Sequence, residues 1–478
     1  MHIRLCVLLA VLALPWLTPA PMMAQKVTWI SSTEVAPWRT AGSLRLEKAT
    51  SQTTQLTIYP DRLQQRMDGF GGCFNELGWE ALLTLPAAER EKILQQLFGK
   101  QQAAFTWGRL PVAANDYSLS YYSYNDVAGD VAMRNFNIDR DRYILIPYIK
   151  EARRIAPDLQ LWASPWSPPA WMKVNNHYSM GGQGRDQYAT DMRAGRNIGN
   201  NATAFRMEVD YLDAYALYLS KFVQAYAKEG LPITRLCPQN EIVYQPQWPA
   251  CTWRPDDMAY FIGKHLGPKL KADQVSTEIW LGTVNTADPN YTRTVLGNAE
   301  AAAYIKGLGY QWDAKQAVET LHKEYPSYPI MQTESECGNG ENNWKAAEYT
   351  WSLLNRYVGN GAGTYMYWNL VLDETGRSSW GWVQNALISV NKATHRVSYH
   401  PEFYLLKHLS HFVQPGSHRL GTSGGADHLA FANPDGSLVL VLVNTEAAPR
   451  ALAVAVGAKQ LAVTLPSHSF NTFCWPAS

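Results

Sequence analysis

Two short stretches hold the residues best suited to chemistry. In RLCPQNEIVYQ (235–245) an apolar run stops at Pro238 and delivers Gln239, Asn240 and Glu241. In YPIMQTESECG (328–338) a second run stops at Thr333 and Glu334. Each reads as a strand that carries a carboxylic acid off its end, the first with an amide beside it. Two carboxyl groups meeting across a site are what glycosidic bond hydrolysis requires: one protonated to help the leaving oxygen depart, one ionised to attack or stabilise an oxocarbenium-like carbon. Proximity itself separates their roles, because a carboxyl beside an ionised carboxylate is harder to deprotonate. A gap of roughly 5–5.5 Å gives retention of configuration and roughly 6.5–9.5 Å gives inversion. Asn240 would reach the hydroxyl next to the reacting carbon while Glu241 reaches the glycosidic oxygen.

These residues need a scaffold that aims strand ends at one point. Eight short apolar segments read as strands: 67–74, 105–113, 159–166, 233–241, 278–285, 307–314, 328–334 and 363–370. Between them, apolar residues recur at three- and four-residue intervals over 77–98, 139–155, 209–230, 255–270 and 342–359, the pattern of amphipathic helices. The fifth and sixth crossovers show it least. Strands alternating with helices predict a (β/α)8 TIM barrel, whose functional groups sit at the C-terminal strand ends. There lie Asn115 and Asp116 on strand two, Trp166 on three, Asn240 and Glu241 on four, Glu334 on seven, and Trp368 on eight. Gln311 and Trp312 end strand six, facing substrate or plugging the barrel. SSWGW (378–382) places Trp380 or Trp382 at the rim.

Bulk composition agrees with a sugar ligand and excludes others. Lys plus Arg number 42 and Asp plus Glu 41, so a net charge of +1 gives a polyanion nothing to bind; no nucleic-acid partner is expected. Aromatics reach 12%, with 18 Trp and 26 Tyr, which suits a ligand stacked on rings. Gly69, Gly71 and Gly72 lack the spacing of a phosphate loop and read as close packing at a barrel strand. Scattered histidines make no metal-ligand cluster, so no metal and no cofactor is expected. Past Cys6, five cysteines at irregular spacing allow one bridge without choosing the pair.

The flanks read differently from the centre. Residues 1–24 carry His2 and Arg4 ahead of an apolar run to about Leu17, the pattern of a secretory signal. Secretion or a periplasmic or cell-surface location follows as an expectation, with no stable membrane insertion and a monomeric state. Residues 25–65 alternate Thr, Ser and Val, and residues 401–478 begin with a helix-like PEFYLLKHLSHFV and continue in hairpin chemistry around Pro434-Asp435-Gly436. Together they predict an antiparallel β-sandwich side domain attached to a barrel over 66–400.

Six motifs, in order, resemble glycoside hydrolase family 30, the group of glucosylceramidases and β-1,6-glucanases. They are DGFGGCFNE, RLPVAANDYSLSYYSYND, LWASPWSPPAWMK, PQNE, IMQTESECG, and YWNLVLDETGRSSWGWVQNALISV with FYLLKHLSHFVQPGSHRL. The resemblance runs from about residue 66 to 478. It implies a retaining β-glycosidase with Glu241 as general acid/base, Glu334 as nucleophile and Asn240 beside the former. It also implies that Asp116, Trp166, Trp368 and Asn385 bind the sugar, with Arg109 bracing Glu334 or its neighbours. Glu336 is read as orienting a loop. The family usually has Pro after the acid/base; here it is Ile242. The polar insert 175–205 is expected to wall the cleft. The substrate expected is a β-linked glucoside, β-1,6-glucan first, with aryl-type β-glucosides, glucosylceramide or xylan as alternatives. A carbohydrate-binding protein without turnover is the reading from a different class.

Overall fold

The computed structural model describes residues 25–49, 54–180, 202–425 and 427–476. The chain opens with three strands, β1 (Gln25–Thr33), β2 (Ala36–Lys48) and β3 (Leu56–Arg66). Eight strands then close a parallel barrel: β4 (Gly69–Cys73), β5 (Trp107–Val112), β6 (Gln160–Pro165), β7 (Arg235–Leu236), β8 (Glu278–Val284), β9 (Ile305–Gln311), β10 (Ile330–Glu334) and β11 (Ala362–Asn369). Each falls within or across an expected segment, and β11 pairs back onto β4. Buried on both faces, they read as near-continuous apolar runs.

Crossover details depart from the sequence pattern for local reasons. The single helix expected over 77–98 is two, Glu76–Leu83 and Ala87–Phe98, divided at Pro86. The helical stretch over Pro255–Ala272 widens at Phe261–Leu266, just before Pro268, which has no N–H to give. The weakly patterned crossovers hold helices of only 8, 4 and 7 residues, too short to display a period. The strand expected over 233–241 is regular for two residues only; beyond it Cys237 and Asn240 still donate to the Ala163 and Pro165 carbonyls.

The barrel's interior layer is Trp107, Trp162, Cys237, Trp280, Met331 and Met366. Arg235 closes its N-terminal end with its guanidinium 4.1 Å from the rings of both Trp107 and Trp280. Gly71 shows why β4 is glycine-rich: a Cβ there would stand 1.8 Å from the Trp107 carbonyl oxygen.

After β11 come a small sheet, β12 (Val371–Asp373), β13 (Ile388–Val390) and β14 (Val397–Tyr399), and a helix over Pro401–Ser410. The side domain is completed by β15 (His418–Gly424), β16 (Asp427–Ala432), β17 (Leu438–Asn444), β18 (Arg450–Val456), β19 (Lys459–Leu465) and β20 (Ser469–Trp475). With β1–β3 these form one closed nine-stranded sheet, antiparallel except where β18 runs parallel to β3. Strand alternation docks it. On β17, Leu440 and Leu442 enter the side-domain core, while Val439, Val441 and Val443 join the barrel's core. Phe470 stacks on Trp344 at 4.6 Å, and buried His408 contacts Ser32 and Thr472 hydroxyls. Cys73, Cys237, Cys251, Cys337 and Cys474 are all free. Among the described residues no helix is long and apolar enough to cross a membrane.

Candidate active site

At the C-terminal mouth of the barrel lies a cavity of about 390 Å³. Asp116, Trp166, Asn240, Glu241, Trp312, Glu334 and Trp382 line it. Seven residues proposed from sequence thus converge on one space, contributed by the ends of five strands and one loop.

Arg109, on β5, organises the floor. It is fully buried, and one nitrogen donates to Glu334 Oε2 at 2.5 Å and to the Thr333 carbonyl at 3.3 Å. The other donates to Asn240 Oδ1 at 2.6 Å and Ser164 Oγ at 3.1 Å. The rigid planar fork holds its two nitrogens apart and so spans both partners in fixed geometry, whereas an ammonium offers its donors from a single point. Its faces lie 4.4–4.9 Å from the rings of Trp162, Trp166 and Trp368. The other oxygen of Glu334 accepts from Trp312 Nε1 at 3.0 Å. Both of its oxygens are therefore held by donors, one of them cationic.

Glu241 is held differently. Its side chain accepts from the Gln311 amide at 3.2 Å, and its backbone N–H donates to Thr283 Oγ1 at 3.2 Å. Burial pushes its carboxyl well above the usual range, and the negative charges of Glu334 and Asp116 push it further; Gln311 and Arg109 oppose this. The site thus pairs a carboxyl held by a cation with one that keeps its proton to higher pH. Gln311 donates also to Asn240 Oδ1 at 3.3 Å and is itself oriented by Thr333 Oγ1 at 2.9 Å, so β9 and β10 tie the two acids into one network.

Glu241 and Trp312 both have φ of 49°, in the left-handed region that large side chains rarely adopt. Such backbone is kept only where the surroundings over-determine it. Here it turns each side chain off its strand end into the cavity. Asp116 is also buried and raised, first by burial and then by Glu334. Its Oδ1 has no hydrogen-bond partner among the described residues.

Two expected sugar-binding residues are not in the lining. Trp368 is buried behind Trp166, 5.3 Å between ring centroids, as part of the box around Arg109. Asn385 is fully buried and spends its amide on Glu402 at 2.8 Å, while its oxygen takes the backbone N–H groups of Gly340 and Asn342. It organises a loop; its neighbour Gln384 reaches the cavity instead. Trp380 packs on Tyr121 at 5.0 Å, leaving Trp382 as the rim tryptophan. Glu336 pairs with Lys315. Sequence reasoning missed Tyr244, Trp248, Asn285, Asp313 and Gln384. Asn285 was findable, since it ends the fifth strand segment; the loop residues carried no signal. No cluster of potential metal ligands occurs among the described residues.

A parallel eight-stranded barrel with paired acids at its strand ends and a β domain fused to both flanks is an architecture of glycoside hydrolases. The chain belongs to glycosyl hydrolase family 30: residues 67–413 match the family's TIM-barrel domain and residues 416–473 its beta sandwich domain. It is 31% identical to Putative glucosylceramidase 1 of Caenorhabditis elegans, over 82% of this chain and 76% of that protein. It is 28% identical to the Endo-1,6-beta-D-glucanase of Neurospora crassa, over 86% and 84%. Among solved structures it is similar to the endo-beta1,6-glucanase BT3312, with a TM-score of 0.79 and 25% identity over 95% of this chain and 99% of that one.

Proposed function

We propose that this glycosidase hydrolyses β-linked glucosides, β-1,6-glucan first among them, by a retaining double displacement. Glu334 attacks the anomeric carbon as the glycosidic bond breaks, and Glu241 passes its proton to the departing oxygen. Glu241, now ionised, removes a proton from water as that water displaces Glu334, which regenerates both groups. One observation carries the assignment of roles: Glu334 is clasped by Arg109 and the Trp312 N–H, while Glu241 has only a neutral amide and is raised. Asp116, whose side chain lines the same cavity, would accept sugar hydroxyls.

The lining also bears on the substrate. It contains Asp313 and, among the described residues, no Lys or Arg, so a xylan bearing acidic side groups would find no counter-charge. The two named relatives above are a putative glucosylceramidase and an endo-1,6-β-glucanase, both names of enzymes for β-glucosyl bonds. The test is a panel of β-1,6-glucan, xylan, an aryl β-glucoside and glucosylceramide, with the product anomer followed by NMR. Release of β-configured sugar from β-1,6-glucan is expected, with Glu334→Gln inert. Cleavage of xylan alone, or an α-configured first product, overturns the reading. Export remains part of the proposal: residues 1–24, outside the described residues, would be removed, and the mass of the secreted protein tests it.

A further inference from the structure

Beside the catalytic cavity lies a second cavity, of about 570 Å³, between the turn after β9 and the segment after β10. Trp312 and Trp382 line both, so the two spaces share their walls. The outer part is built from Glu336, Asn339, Glu341, Asn343, Lys345 and Tyr349. Tyr349 is 47% exposed, a large ring left in solvent on an otherwise polar helix face. Glu336 gives one oxygen to Lys315, and its Oε2 is buried without a partner among the described residues.

Rings flanked by carboxylate and amide groups match a pyranose, whose C–H face is apolar and whose edge is all hydroxyls. An alkyl chain in this place would strip water from Glu336 and the asparagines and return nothing. We infer that this groove is a second sugar subsite, holding the glucosyl unit next to the one in the catalytic cavity. On that inference the enzyme acts on glucose chains in preference to single glucosides of long-chain lipids. Tyr349 stacks the second ring, the exposed Asn339 and Asn343 side chains meet its hydroxyls, and Trp312 couples the two subsites, since the same indole donates to Glu334. The inference rests on the glycosidase reading of the catalytic cavity.

The test uses the full chain in two measurements. In a Glu334→Gln background, calorimetry with β-1,6-linked glucose oligomers of two to four units should show affinity rising with the second sugar. Adding Tyr349→Ala should remove about tenfold of that affinity, the scale of one aromatic contact. In the active enzyme, Tyr349→Ala should lower the ratio of kcat/KM for the β-1,6-triose to that for 4-nitrophenyl β-glucoside by a similar factor. If both the affinity and the ratio are unchanged by Tyr349→Ala, the subsite is refuted. Octyl β-glucoside binding more tightly than the disaccharide, with loss of that advantage in Tyr349→Ala, assigns the groove to a lipid and overturns the sugar assignment. Chain-length-dependent binding that Tyr349→Ala abolishes, in a wild type that cleaves neither substrate, supports the groove and refutes the catalytic reading instead.

Discussion

Replacing Arg109 by Met probes the brace under the two acids. Arg109 is fully buried and Glu334 nearly so, with 6% of its side chain exposed. Removing the cation strands the carboxylate, and breaking a buried pair from one side costs about 3–5 kcal/mol. The charge-assisted bonds from the guanidinium to Asn240 and Ser164 add about 1.5 kcal/mol each, part of which the methionine recovers by packing among Trp162, Trp166 and Trp368. In a Glu334→Gln background no anion is stranded, and the same change should cost only about 2 kcal/mol, leaving a coupling of about 3–5 kcal/mol. Urea unfolding at pH 7 of wild type, both single variants and the double variant, followed by tryptophan fluorescence, closes the cycle. Arg109→Lys keeps the charge but not the fork, and should recover the ion pair without the bond to Asn240. Costs that add within about 0.5 kcal/mol would mean that Arg109 does not hold Glu334 through charge, and the site description fails.

Other outcomes follow from the same structure. Turnover needs Glu241 protonated, so activity is lost as pH rises through its raised pKa, which sets the basic limb of the profile. Asp116→Asn removes one of the charges holding Glu241 up, so the basic limb of the kcat–pH profile should move to lower pH; an unmoved limb refutes the coupling. Burial pushes Glu402 from 4.5 to about 7, so its contribution to stability is complete below pH 4.5 and is lost as pH rises through 7. Glu402→Gln can still accept from Asn385 and should gain about 3 kcal/mol over wild type between pH 4.5 and pH 8, read from denaturation at both pH values. Gly71→Ala must displace the Trp107 backbone and should cost about 3 kcal/mol or more, seen as loss of soluble protein or a sharply lowered melting temperature.

Apolar periodicity alone located eight barrel strands, because strands buried on both faces leave continuous apolar runs that polar turns interrupt. The rule that barrel chemistry sits at strand ends then brought Asp116, Asn240, Glu241 and Glu334 forward as residue types in the right places. What those groups meet across the barrel was not written along the chain. Arg109 lies 225 residues from Glu334, and Gln311 lies 70 from Glu241. Only closure of β11 onto β4 brings such partners within hydrogen-bond reach, and burial together with the neighbouring carboxylates raises Glu241 and Asp116. Trp368 and Asn385 make the same point from the other side. Their types suit a sugar, but a side chain enters a cavity or lies behind it according to backbone direction and packing, and neighbouring Gln384 and Asn385 took opposite courses. Composition and pattern determined the scaffold and the chemical repertoire; three-dimensional closure decided which acid is clasped by a cation and which keeps its proton.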